Sequence, residues 1–363
     1  MGGSFGFGEG VGALIARTSI ALAGAALVGA LVLTAAGLDL ATTWEAIYEG
    51  AIGDELAIRN SLLEAVPITI TAIGVAIAFR AGLFNLGGQG QIYVGALAAV
   101  LVALYLHAPG AVVIAIALVA SMLAAGAWGG IAGVLRARLG LSEIITTIML
   151  NFIAFWLVSY LVRGPIQDPE GDGYPYTREI PEPVQLGLIG DVVPVGAVLM
   201  LAVGVAAWLL MDRSRFGLKI KALGEGEAAS RFAGIAVPRV TIVAMVIAGA
   251  LGGLGGTASL LGVQHRLSDF FSPGWGFDAV ATALIGRGSP IGTLVAGVFI
   301  GFLRSGIQTA EGTAEVPAAL AQILLGVVVL FLIIANADLV VRLGRRLRQR
   351  LARGRGEALE RPA

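Results

Sequence analysis

The sequence contains no cysteine. That excludes disulfides, thiolate nucleophiles and metal sites built on sulfur. Histidine is scarce too: His107 and His265 lie far apart, each beside an apolar run. Neither has a second ligand nearby, so each reads as an interfacial residue and no metal is expected. Charged residues make up 13% of the chain, against about a quarter in a soluble domain. The formal net charge is zero, so no long-range field favours nucleic acid. Lysine occurs only at Lys219 and Lys221. Neither belongs to a Gly-x4-Gly-Lys-Ser/Thr phosphate loop. Any ATP that powers this protein must therefore be hydrolysed by another chain, and no cofactor is expected in this one.

What the sequence has in quantity is apolar length. Of 363 residues, 57% are hydrophobic, and the mean hydropathy is +0.88. This is the composition of an all-α polytopic membrane protein. Apolar runs at 19–38, 62–79, 91–106, 111–135, 143–162, 191–211, 240–261 and 318–335 read as spanning helices. The stretch 39–61 is polar, and 163–190, dominated by Pro, Gly and acidic residues, reads as a loop with at most a short element. With the two arms of a broken stretch at 277–303, the expectation is about ten helices, some broken or re-entrant. The membrane domain covers 1–335, and a basic tail covers 336–363.

Two stretches are poor membrane helices. Residues 79–100 are interrupted by Gly87, Gly88 and Gly90, with Asn85, Gln89 and Gln91 among them. Residues 277–303 are interrupted at Gly286-Arg287-Gly288-Ser289-Pro290. Irregular backbone survives at membrane depth only where protein covers it or water fills a cavity. Aligning Gly88 with Gly286 suggests an internal repeat, and paired interruptions of this kind point to a transport site. Thr147, Asn151 and Phe155 are spaced by four and share one helix face. Asn85, Gln89, Gln91, Asn151, Phe155 and the turn Gly286, Arg287, Gly288, Ser289 are the candidate pathway residues. The competing role for each is that of glue between helices.

Lys and Arg are distributed unevenly. Six fall in 212–239 and eight in 336–363, against five (Arg59, Arg163, Arg178, Arg266 and Arg304) in all segments assigned to the opposite side. The excess marks the cytoplasmic side and puts both termini there. The loop 212–239 holds helix formers from Glu225 onward and a glycine stop at Gly234. It reads as a short amphipathic helix on which an ATPase could dock. An ion-coupled secondary transporter is the alternative, but it would want carboxylates inside the membrane. Glu64 and Glu143 sit at the ends of predicted spans, and Asp278 starts a half-helix. No cluster suited to a membrane enzyme is apparent.

Two motifs carry a family resemblance. Glu227-Ala228-Ala229 with Gly234-Ile235 and Val237-Pro238 resembles the EAA-type coupling loop of ATP-binding cassette (ABC) importer permeases. Phe79-Arg80-Ala81-Gly82-Leu83-Phe84-Asn85-Leu86-Gly87 with Gly90-Gln91 is similar to ABC permeases serving ribose-like sugars, branched-chain amino acids and nucleosides. The nucleoside (or simple sugar) branch is the nearest, and the acidic segment 39–61 resembles the longer permease type of that branch. The resemblance implies a type II importer fold and a permease in the cell membrane that does not itself hydrolyse ATP. It implies an ATP-binding subunit pair, a second and different permease, and an extracytoplasmic substrate-binding lipoprotein as partners. Glu225, Glu227, Ala228, Ala229, Arg231 and Gly234 would then couple to the ATPase.

Overall fold

The computed structural model describes residues 11–171 and 173–336. Thirteen α-helices run in order: α1 Val11–Ala35, α2 Leu40–Ile52, α3 Glu55–Arg80, α4 Gly88–Tyr105, α5 Gly110–Leu139, α6 Glu143–Val162, α7 Val195–Trp208, α8 Arg215–Glu225, α9 Glu227–Phe232, α10 Val237–Ser259, α11 Trp275–Ile285, α12 Pro290–Thr313 and α13 Ala318–Asn336. Two-residue strands β1 Leu188–Ile189 and β2 Val193–Pro194 pair antiparallel. Nine helical segments among the described residues are long and apolar enough to cross a membrane, and α11 is a shorter apolar helix. The basic tail expected over 336–363 lies outside the described residues, apart from the end of α13.

The chain forms two compact units. One comprises residues 1–40 and 317–363. In it α1 packs on α13, and Gly24 gives the Phe331 ring its room. The other unit, 41–316, holds the candidate site.

At the centre of that second unit are α3, α4 and α10, whose apolar windows are 72–78% buried, whereas α5 and α6 are 28% buried. A helix apolar all round belongs inside a bundle. α3 shows why: Val66, Ile70, Ile73 and Ile77 lie on one side and Ile68 and Val75 on the opposite side, and all are buried. Small residues let the axes approach. Gly74 of α3 meets Ala248 and Leu251 of α10, Gly95 of α4 meets Gly253, and Gly301 of α12 meets Ala65. The contacts follow a two-fold pattern. α5 packs on α10 as α12 packs on α3, while α4 lies on α10 as α11 lies on α3.

Several expectations change. The polar segment 39–61, which is assigned no helix of its own from the sequence, forms α2 and the first turns of α3, which Asp54 caps by accepting from the Ala57 N–H at 2.6 Å. Glu45 and Glu49 are on the exposed face of α2, whose Ala46, Ile47 and Gly50 are buried. α12 continues to Thr313, ten residues past the expected end of its run. Arg304 is therefore inside a helix and not in an outer segment. Glu64, likewise, is well inside α3. The repeat register also differs. Helix packing matches α4 with α11, so the second interruption that corresponds to 82–87 is 265–274, ahead of α11, rather than 286–290. Finally, the coupling loop is a pair of helices, α8 and α9, broken at Gly226, and not one helix.

Candidate functional site

The first interruption begins where α3 ends. Gly82 takes a left-handed φ of 74°. Its N–H donates to the Phe79 carbonyl and the Leu83 N–H to the Ala78 carbonyl, both at 3.0 Å. This is a Schellman cap, which spends the last carbonyls of the helix. From Leu83 to Gly87 the chain is irregular, and its polar groups are met by side chains. The Phe84 N–H donates to Glu143 Oε1 at 3.3 Å and the Leu86 N–H to Thr147 Oγ1 at 3.3 Å. The Gly87 N–H donates to Asn85 Oδ1 at 2.9 Å. Asn151 accepts from the Gly90 N–H and donates to the Leu86 carbonyl, each at 2.8 Å. Asn85 and Gln91 exchange amide hydrogen bonds of 3.2 and 3.3 Å. Unpaired backbone in an apolar interior costs several kcal/mol per group, so these amides are what permits the break.

The start of α4 then meets the start of α11. Gln89 is partly exposed. Its Nε2 donates to the Ser272 carbonyl at 3.1 Å, and its Oε1 accepts from the Gly276 N–H at 2.9 Å. A side chain at Gly276 would overlap the Gln89 backbone. Around this meeting point runs an aromatic chain. Tyr93 lies edge-on to Phe155 at 5.8 Å and to Phe271 at 6.2 Å, Phe271 lies edge-on to Trp275, and Phe155 reaches Phe270 at 6.0 Å. Trp156, Phe270 and Phe277 are exposed beside it.

α11 is pinned by charge. Arg304 pairs with Asp278 in the first turn of α11 and with Glu64 of α3 at 3.1 Å, and donates to the Pro273 carbonyl at 2.9 Å. Trp275 Nε1 adds a 2.9 Å bond to Glu64. The Arg304 side chain is only 12% exposed. Reading Arg304 as part of a loop hid this cluster. Following the apolar periodicity through 300, 303, 307 and 310 would have placed the arginine inside a helix that needs partners for it.

The structure thus brings Asn85, Gln91 and Asn151 together as a clamp and sets Gln89 and Phe155 at its partly exposed edge. The turn Gly286, Arg287, Gly288, Ser289 lies elsewhere, at the far end of α11 from Gln89. There Gly288 lies against Arg80 at the end of α3.

The other candidate region is the hairpin of α8 and α9. Ser214 caps α8 by accepting from the Gly217 N–H at 3.0 Å. Ile220 and Leu223 bury one face. Glu225, Glu227, Ala228, Ala229, Arg231 and Gly234 are all exposed, and Arg231 pairs with Glu227 one helical turn away at 2.5 Å. Phe232 is 94% exposed at the tip of α9. An aromatic residue within a polar loop was the available signal, and motif reading passed over it. A cavity of about 380 Å³ lies between α9 and the ends of α3 and α5; Gly82, Arg136, Gly140, Glu227 and Arg231 are among its lining.

The segment between α6 and α7 is tied to the one between α10 and α11: Arg163 pairs with buried Asp269, and Arg266 bridges Asp168 and Glu179. His265 bonds through its backbone, donating to the Leu260 carbonyl at 2.9 Å and accepting from the Ile180 N–H at 2.8 Å. Burial lowers its imidazole pKa below the usual 6.5, against an opposing pull from Glu179.

Residues 57–333 match the family model described as Branched-chain amino acid transport system / permease component. A glucose ABC transporter permease of Haloferax volcanii is 33% identical over 84% of this chain and 83% of its own length. A guanosine ABC transporter permease of Bacillus subtilis is 30% identical over 84% and 88%, and a nucleoside ABC transporter permease of Lactococcus lactis is 30% identical over 84% and 87%. Each of the latter two organisms also has a second such permease that matches less of this chain, 69% and 74%. With its membrane-spanning helices, its interrupted core and its exposed α8–α9 hairpin, the chain belongs to this ABC transporter permease family.

Proposed function

We propose that the chain is the permease subunit of an importer for nucleosides or related simple sugars, driven by ATP that a separate subunit pair binds and hydrolyses. The observation that carries this reading is the α8–α9 hairpin, which projects Phe232 and the Glu227–Arg231 pair away from the bundle. An exposed aromatic flanked by charges is the composition of an interface hot spot. The hairpin belongs to the Lys/Arg-rich side, so the ATPase docks in the cytoplasm and both termini lie there.

Solute would pass along the edge of the clamp, where Gln89 and Phe155 are partly open and Trp156, Phe270 and Phe277 stand exposed. Amides suit sugar hydroxyls and aromatic rings suit a base. Asn85, Gln91 and Asn151 contribute by holding the interruption open, and the 286–289 turn by anchoring α11. An extracytoplasmic binding lipoprotein would deliver the solute. The second permease would be a different chain, a reading supported by the paired relatives in two organisms. Glu64 and Asp278 are engaged by Arg304, so they offer no free carboxylate to an ion-coupled mechanism.

Uptake of labelled guanosine, adenosine, ribose and glucose, in cells with and without this subunit, tests the proposal. ATP-dependent accumulation of a nucleoside or sugar that vanishes with the subunit is expected. Accumulation driven by a proton or sodium gradient in liposomes holding this chain alone would overturn it.

A further inference from the structure

Arg80 is the basic residue in the last turn of α3. α3 and α11 lie side by side with their C-termini together: Ala76 packs with Ala283, and Phe79 packs against the same cluster. Both helices finish in the same cap. In α3 the Gly82 and Leu83 N–H groups close it; in α11 the Arg287 and Gly288 N–H groups donate to the carbonyls of Leu284 and Ala283, at 3.0 and 3.1 Å. Arg287 takes a left-handed φ of 55° to do so, a conformation unusual outside glycine. Two helix C-termini side by side present two negative dipole ends. The Arg80 guanidinium answers both: it belongs to the last turn of α3, and its Nε donates to the Gly288 carbonyl at 2.9 Å.

The same residue meets the hairpin through its backbone. A Cβ at Gly224, in the last turn of α8, would overlap the Arg80 carbonyl oxygen and lie 3.4 Å from the Gly82 N. Beside this contact the 380 Å³ cavity keeps Glu227 and Arg231 apart from the α3 and α5 ends. The hairpin therefore bears on the core at the first residues of the α3–α4 interruption. Those residues lead through the clamp to Gln89 and the start of α11, while the Arg80 side chain leads to the end of α11.

We propose that Arg80 is a positioning residue for transport: displacement of the hairpin reaches both ends of α11 by way of this one residue. Its carbonyl and the following turn carry the motion into the interruption, and its guanidinium carries it to the α11 cap. The proposal rests on the reading that an ATPase docks on the hairpin.

The test uses the complete transporter, with its ATPase and second permease, in liposomes. Arg80→Ala should leave ATP hydrolysis within about twofold of the parent, while solute moved per ATP falls about tenfold, as expected for loss of a coupling interaction. Arg80→Gln, whose amide can still donate to the Gly288 carbonyl, should recover most of that ratio. A merely structural role would lower hydrolysis and transport together. A second measurement needs no variant: amide hydrogen exchange of the parent complex, with and without a non-hydrolysable ATP analogue. Protection should change at 221–226, 81–90 and 284–290 together. A normal transport ratio in Arg80→Ala, or silence at 284–290 while 221–226 responds, overturns the Arg80 link alone. Silence at 221–226 overturns the docking reading beneath it.

Discussion

The interruption after α3 and the hairpin of α8 and α9 look alike on paper. Each is a short run of glycine and polar residues between apolar helices, and the structure treats them oppositely. At 82–91 Asn85 and Gln91 are buried and bonded to each other, and the backbone is met by Asn151, Thr147 and Glu143. At 225–234 the charged side chains Glu225, Glu227 and Arg231 are exposed and one aromatic ring stands in the open. The amides of the interruption are spent on the chain itself, and the charged groups of the hairpin stand at the surface, where another molecule can meet them. Substitution should therefore harm folding in the first region and association in the second.

The sharpest contrast sets one ion cluster against another. Arg304→Met strands Asp278 and Glu64 between α3 and α11, a break that costs about 3–5 kcal/mol when the charges are buried. Arg231→Met removes an exposed pair on α9 and should fall within about 0.5 kcal/mol of the parent. Thermal unfolding of both variants in detergent reads the difference. Equal midpoints would erase the distinction between the two regions.

Next in size is the clamp. Asn151→Leu leaves the Gly90 N–H and the Leu86 carbonyl unpaired, each at about 1–3 kcal/mol. Lowered thermal stability is expected before any change in solute preference. If stability held while uptake of one solute fell selectively, Asn151 would be a pathway residue and not a clamp.

The hairpin should give the reverse result. Phe232→Ala removes an exposed ring, so the midpoint should stay where it is, while ATPase affinity falls by about 2 kcal/mol, the scale of an interface hot spot. Pull-down of the ATPase, with unfolding measured on the same sample, distinguishes the two. A normal pull-down would move the docking surface off α9.

How much of this was legible follows from the range of each interaction. The four-residue spacing of Thr147 and Asn151 correctly put both on one face, and both turn that face toward the interruption. Glycine at 234 ends its helix, as the local pattern implied: the Gly234 N–H donates to Arg231 and the Ile235 N–H to Ser230. The meeting of Gln89 with Gly276 joins residues 187 positions apart, and nothing in local periodicity encodes it. α2 was missed because one charged face masks an apolar one. The repeat was found but set in the wrong register, because glycine spacing follows helix contacts as well as breaks.

The smallest expected effect lies outside both regions. His265 follows the π-helical turn that ends the α10 span, with its imidazole pKa lowered by burial. The unfolded chain then binds a proton more readily than the folded one near pH 6.5, the unperturbed value. Stability from this residue is present above that pH and declines as pH falls toward the lowered folded value. His265→Gln should flatten the difference in unfolding midpoint between pH 7.5 and a more acidic buffer, with little change at pH 7.5. An unchanged acid sensitivity would remove His265 as its source.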